Sequence, residues 1–163
     1  MNWLQDSRLT QIQKLSYTIN LMARYLLDTN ILVFIVNKDD DRLNADVQAI
    51  LMDYENEFLV SIESIRELIV AYRTKKLLTR LFHSSIEMVE AIQKDYGIRI
   101  LLTDMEVMRT MAKLTINEAE QHNDPSDHLI ISQAITMKLP LISSDRKFSF
   151  YKSQGLDLIY NRC

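Results

Sequence analysis

Four carboxylic acids, Asp28, Glu67, Asp127 and Asp145, stand far apart in the chain, at places where a fold can bring them together. Asp28 directly follows one short apolar run ("YLLD"), and Asp145 directly follows another ("LISSD"). Asp127 opens the apolar helix pattern "DPSDHLIISQA", and Glu67 sits about two turns into the helical segment "IESIRELIVAYR". Like charges packed together repel and raise each other's pKa, so a cluster of this kind calls for a cation. Hard oxygen ligands, without cysteine pairs or clustered histidine, suit Mg²⁺ or Mn²⁺.

Taken singly, each acid also has a purely structural reading. Asp28 can cap a helix beginning at Asn30. Asp127 can be the third residue of a helix with Asp124 as N-cap and Pro125 at the first helical position. Asp145 can stabilise a turn before Arg146 and Lys147. Glu67 can pair with a neighbouring cation on its helix. What favours a joint role is that all four fall toward one edge of the fold expected below.

That fold follows from alternating segments. Short apolar strands are predicted at residues 23–27, 57–61, 98–103 and 140–144, with residues 156–160 as a possible edge strand. Helices are predicted from Asn30, over residues 46–54, 62–73, 104–121 and 126–138, and within a long amphipathic segment over 75–96. Strands that are apolar throughout and separated by helices predict a three-layer α/β/α sandwich around a mainly parallel sheet of four to five strands. In such sheets, sites form beyond the carboxyl ends of the strands, where Asp28 and Asp145 stand.

Bulk properties narrow the function classes. The 163 residues suit one domain, and 47% hydrophobic with 25% charged residues is the composition of a packed chain. Cys163 is the sole cysteine, which excludes an internal disulfide and a cysteine-pair zinc site and fits a reducing cytoplasm. Gly97 and Gly155 are the only glycines, so glycine-rich phosphate loops are excluded. The apolar run Ile31 to Val36 is too short to span a bilayer, and the polar start, without the apolar core of a signal peptide, leads us to expect no secretion. With a net charge of −3, any nucleic-acid site has to be local.

In their order, "YLLDTNILV", "VSIESIREL", "DPSDHLIISQA" and "LISSDRKF" resemble the PIN-domain ribonucleases, and among them the VapC-type toxins of bacterial toxin–antitoxin modules. The resemblance runs from about Met22 onward; the four blocks together are specific where each alone is weak. It implies metal-dependent hydrolysis of RNA phosphodiester bonds, leaving a 5′-phosphate. Asp28, Glu67, Asp127 and Asp145 match the family's acids, with Asp28, Asp127 and Asp145 as ligands of Mg²⁺ or Mn²⁺ and Glu67 completing the site or orienting water. Glu67 is the match, not Glu63; Asp124 is an accompanying acid. Ser126 replaces a frequent aromatic and His128 a frequent arginine, which changes the rim of the site.

Further expectations follow. Asn30 and Ser144 (or Ser143) are expected to hydrogen-bond within the acidic pocket, and Arg146 and Lys147 to meet phosphate. Arg66, Arg73, Lys75, Lys76 and Arg80 form a basic stretch that is equally well a solvated face or an RNA contact. The RNA is expected to be single-stranded or looped. His83 and His122 are expected at the surface, and His128 is expected to point aside. The resemblance also implies a homodimer and an antitoxin segment lying along the helices of residues 46–54 and 77–96, although Leu77, Leu81, Phe82, Met88 and Ile92 suit ordinary core packing.

Residues 1–21, with apolar positions at Leu4, Leu9, Ile12, Leu15 and Ile19, read as an added helix or as the product of an upstream start codon. On either reading the domain proper covers residues 22–163, and the extension is expected to be dispensable. Two other classes compete. A haloacid-dehalogenase-like phosphotransferase needs a second Asp two residues after the first, where Asn30 stands. A catalytically silent PIN-like module binding RNA or protein is the alternative that retains the acids.

Overall fold

The computed structural model describes residues 22–162 apart from 78 and 80. The helix expected over residues 1–21, together with Arg80 and Cys163, lies outside the described residues. Five strands, β1 (Arg24–Leu27), β2 (Glu57–Ser61), β3 (Arg99–Leu101), β4 (Leu141–Ser143) and β5 (Leu158–Tyr160), form one sheet in the order β3-β2-β1-β4-β5. Every pairing is parallel, so residues 156–160 do supply an edge strand.

The strands are apolar on both faces because helices cover both. Leu27, Val60 and Ile142 point into one core, which they share with α1 (Thr29–Asn37), α3 (Ile62–Arg73) and α4 (Ser85–Lys94); α2 (Ala45–Met52) adds Val47. Leu26, Leu59 and Leu141, one residue along each strand, point into the second core. There they meet Ile130, Ile131 and Ala134 of α6 (Pro125–Met137), with α5 (Met105–Lys113) packed beside α6. The result is the expected three-layer sandwich.

The strand order reverses between β1 and β4, because the chain builds outward from β1 in one direction through β2 and β3 and in the other through β4 and β5. A crevice therefore opens beyond the carboxyl ends of these two strands. Asp28 ends β1 and Asp145 lies two residues past β4, so the two acids flank this point.

Two expected helices are shorter than the sequence suggests. The segment over 104–121 leaves the helix after Lys113, because the Gln154 side chain takes both backbone groups of Thr115: Oε1 accepts its amide at 2.8 Å and Nε2 donates to its carbonyl at 3.0 Å. A short 3-10 turn, Glu118–Glu120, follows. Among the described residues of the amphipathic segment over 75–96, the helix runs only over Ser85–Lys94, where Ser84 caps it by accepting the Glu87 amide. Leu77, Met88 and Ile92 are nevertheless buried core residues, with Phe82 packed against them and Leu81 exposed.

Candidate active site

The switch point is lined by helix starts, and capping explains why acids stand there. Asp28 caps α1, its Oδ1 accepting the Thr29 amide at 2.7 Å. Asp124 caps α6, with Pro125 at the first helical position and Asp127 in the first turn. Asp145 caps the 3-10 helix Arg146–Gln154 by accepting the Lys147 amide at 2.8 Å. The structural readings of Asp28 and Asp145 hold and coexist with convergence on one site, whereas Arg66, the neighbouring cation on the helix of Glu67, pairs with Glu63 instead.

Ser143 joins the ends of β1 and β4. Its buried hydroxyl donates to Asp28 Oδ2 at 2.6 Å and accepts the Asp145 amide at 3.0 Å. Glu67 approaches from α3, where Thr29 donates its hydroxyl to Glu67 Oε2 at 2.5 Å. Asp127 approaches from α6. One ligand atom each from His122, Asp127 and Asp145 lies within 4.8 Å of the others.

The electrostatics knit these acids into one cluster. Burial pushes the Asp28 carboxyl up to about 7; the Ser143 hydrogen bond opposes this, and the charges of Asp127 and Glu67 add to it. Glu67 is raised by burial and by Asp127, Asp124 and Glu63, against the Thr29 hydrogen bond. Asp127 is raised by burial, partly offset by its bond to His122, and raised again by Asp124 and Asp145. Carboxylates held above their ordinary range by one another and by low dielectric are a site in want of positive charge. Their oxygen-rich donor set fits a hard divalent cation such as Mg²⁺ or Mn²⁺.

His122 is not at the surface. It is 3% exposed, and its Nε2 lies 2.8 Å from Asp127 Oδ2. Its Nδ1 lies 3.0 Å from the Tyr151 hydroxyl. In a single sequence nothing distinguishes this histidine from a solvated one, because the tyrosine that buries it arrives 29 positions later. His128 is buried too, facing Tyr151 and the His122 carbonyl rather than the acids, and His83 is exposed as expected.

The expected substrate residues divide. Asn30 and Ser144 are used in holding α1 to the end of β4: Asn30 Oδ1 accepts the Ser144 amide at 3.3 Å, and Asn161 Nδ2 donates to Ser144 Oγ at 2.9 Å. Arg146 stands beside Asp145 with its side chain 80% exposed, 3.7 Å from Glu120, and Lys147 is half-buried next to it. In the basic stretch, Arg66 pairs with Glu63 at 2.6 Å and donates to Ser126 Oγ at 2.9 Å, while Arg73, Lys75 and Lys76 are exposed.

Comparison with known proteins agrees with this architecture. The PIN domain family profile matches residues 25–152. No curated protein matches the sequence. Among solved structures, VapBC2 from Rickettsia felis bound to a DNA fragment from their promoter is similar over 85% of this chain and 98% of its own, with 20% identity and a TM-score of 0.62. VapBC-1 from nontypeable Haemophilus influenzae is similar over 84% and 97%, with 18% identity and a TM-score of 0.60. FitAcB from Neisseria gonorrhoeae is similar over 84% and 96%, with 21% identity and a TM-score of 0.55. With its family profile spanning both acids that end strands and the whole of α6, this chain belongs to the PIN domain family.

Proposed function

We propose that the chain is a Mg²⁺- or Mn²⁺-dependent endoribonuclease and the VapC-type toxin of a toxin–antitoxin pair, acting in the cytoplasm on single-stranded or looped RNA. The observation that carries this reading is the gathering of Asp28, Glu67, Asp127 and Asp145 at the switch point, with the first three raised in pKa.

Asp28, Asp127 and Asp145 would hold the metal ion. When bound, it supplies a water of lowered pKa and stabilises charge on the phosphate. Glu67, held by Thr29 and raised in pKa, would orient the attacking water and take its proton. Arg146 and Lys147, beside Asp145, are suited to hold phosphate oxygens.

An antitoxin partner is supported by the similar folds, which include toxin–antitoxin complexes. A cavity of about 410 Å³, lined mainly by apolar residues such as Ile35, Leu43, Leu51 and Phe58 together with Lys38, Asp40 and Gln48, suits the largely apolar side of such a partner. It lies by α2 and the end of α4, where that segment is expected. The chain is further proposed to act as a homodimer. Among the described residues no helix is long and apolar enough to cross a membrane.

The test is RNA cleavage by the purified chain with Mg²⁺ or Mn²⁺, with EDTA and Asp127→Asn as controls. Cleavage abolished in both controls is the expected result. Cleavage that survives in Asp127→Asn would refute the site, and no cleavage across a broad RNA panel would favour a silent binding module.

A further inference from the structure

The strongest unassigned feature is a buried polar chain behind Asp127. His128, Tyr151 and His122 are each under a tenth exposed, and they connect in sequence to the Asp127 carboxylate. For neutral imidazole rings, their partners set the direction of each of these hydrogen bonds. His128 Nε2 lies 2.9 Å from the His122 carbonyl, which only accepts, so this nitrogen carries a proton. The same N–H faces the Tyr151 oxygen at 3.1 Å. With a neutral His122 ring, the tyrosine hydrogen is left for His122 Nδ1 at 3.0 Å, which accepts it. An imidazole that accepts at Nδ1 carries its proton at Nε2, and that N–H points at Asp127 Oδ2 at 2.8 Å. Reversing the chain would set a bare nitrogen lone pair against a carboxylate.

We infer that His122 is a positioning residue: locked by Tyr151 as its Nε2–H tautomer, it ties one oxygen of Asp127 to the protein and leaves the other for the divalent ion. The inference rests on the metal-dependent reading above and deepens it. His122 is close enough to the acids to be taken for a ligand itself, since its donor atom falls within 4.8 Å of those of Asp127 and Asp145. Both ring nitrogens are already engaged, however, and ligation would strip Asp127 of its hydrogen bond and reverse the chain back to His128. A hydrogen bond to a ligating carboxylate fixes its orientation, and losing such a partner typically lowers metal affinity about 10- to 100-fold.

The test has two arms on the full chain. In the first, ¹⁵N-labelled histidine is observed without metal and during titration with diamagnetic Mg²⁺. The expected signature for His122 is a neutral ring protonated at Nε2 that keeps this proton as Mg²⁺ is added. An Nδ1–H tautomer, an imidazolium, or loss of the Nε2 proton on adding Mg²⁺ would overturn the inference. Because this arm starts without metal, it separates failure of the hydrogen-bonded chain from failure of the nuclease reading. The second arm measures Mn²⁺ affinity in His122→Gln, whose amide reaches the Nε2 position, and in His122→Asn, whose amide does not. The expected result is a tenfold or greater loss in Asn and less than about threefold in Gln. Equal affinity in the two variants would overturn the inference, whether both lose binding or neither does. A wild-type chain that binds no Mn²⁺ would overturn both this inference and the nuclease reading.

Discussion

Thr29 donates its hydroxyl to Glu67 at 2.5 Å, tying the first turn of α1 to the middle of α3. The residue after the Asp28 cap therefore holds the one acid that enters the site from a helix interior. The Ser64 hydroxyl, 3.0 Å from Thr29 Oγ1, buttresses the arrangement from the same helix. Thr29→Val removes the donor but keeps the shape. It is expected to raise the Glu67 pKa further and to lower single-turnover cleavage about tenfold or more, on the order of one charge-assisted hydrogen bond. Thr29→Ser is expected to stay near wild type. Equal rates in Thr29→Val and wild type would show that Glu67 needs no such anchor.

Asp28, proposed above as a metal ligand, costs stability where it stands. Its folded pKa of about 7 lies above the ordinary value of 3.8, so between these pH values the folded chain holds a proton that the unfolded chain releases. Stability of the metal-free protein is therefore expected to fall as pH rises through this window and to level off above about 7. The full effect is on the order of 4 kcal/mol at ~1.4 kcal/mol per pH unit. Asp28→Asn should remove this slope, leaving a metal-free protein more stable than wild type at pH 8 while abolishing cleavage. Urea denaturation with EDTA at pH 5 and pH 8 measures it. A wild-type chain that is more stable at pH 8 than at pH 5, with the variant showing the same trend, would contradict the assignment.

Much of this was legible in the sequence, for identifiable reasons. Apolar runs such as "YLLD" and "LISSD" read as strands because burial on both faces leaves no polar alternation, and an acid directly after the first and two residues past the second stands at the sheet edge. The cap at Asp124 and the proline at 125 locate the start of α6 and thereby Asp127. What was not legible depends on long-range side-chain bonds. Gln154 ends a helix pattern some forty residues earlier by capturing the Thr115 backbone. Tyr151 converts His122 from an ordinary polar residue into a buried one. Ser143, one of two adjacent serines, is distinguished from Ser144 only by the pleat that turns it toward Asp28.

If the acids are held apart from their preferred charge, a divalent ion should stabilise the fold. Mn²⁺ or Mg²⁺ at about 100 times its dissociation constant is expected to add roughly 2.7 kcal/mol, seen as a raised melting temperature that EDTA reverses. Binding should weaken as pH falls through about 7, because protons compete for Asp28. The same titration on Asp127→Asn should give a much smaller shift. An equal shift in that variant would place the ion elsewhere.

Glu63, four residues before Glu67, does a different job from its neighbour. Arg66 holds it at 2.6 Å, and the Ser126 hydroxyl donates to its Oε1 at 2.6 Å, so the clamp joins the start of α3 to the start of α6. The Arg66 hydrogen bond, opposed by burial and reinforced by Ser126, holds the Glu63 carboxyl below its ordinary 4.5. A depressed pKa stabilises the fold above the unfolded value, and that contribution disappears as pH falls through the folded one. Glu63→Gln is thus expected to cost about 1 kcal/mol at pH 7, a modest figure because Arg66 is largely exposed. The gap between variant and wild type should close below pH 4.5, on the side to which the carboxyl is shifted. Because Ser126 adjoins Asp127 at the start of α6, the variant should also lower Mn²⁺ affinity, by less than Asp127→Asn does. Denaturation across pH 3 to 7 decides the stability claim: a cost that stays constant over that range would mean that Glu63 acts through packing, not charge.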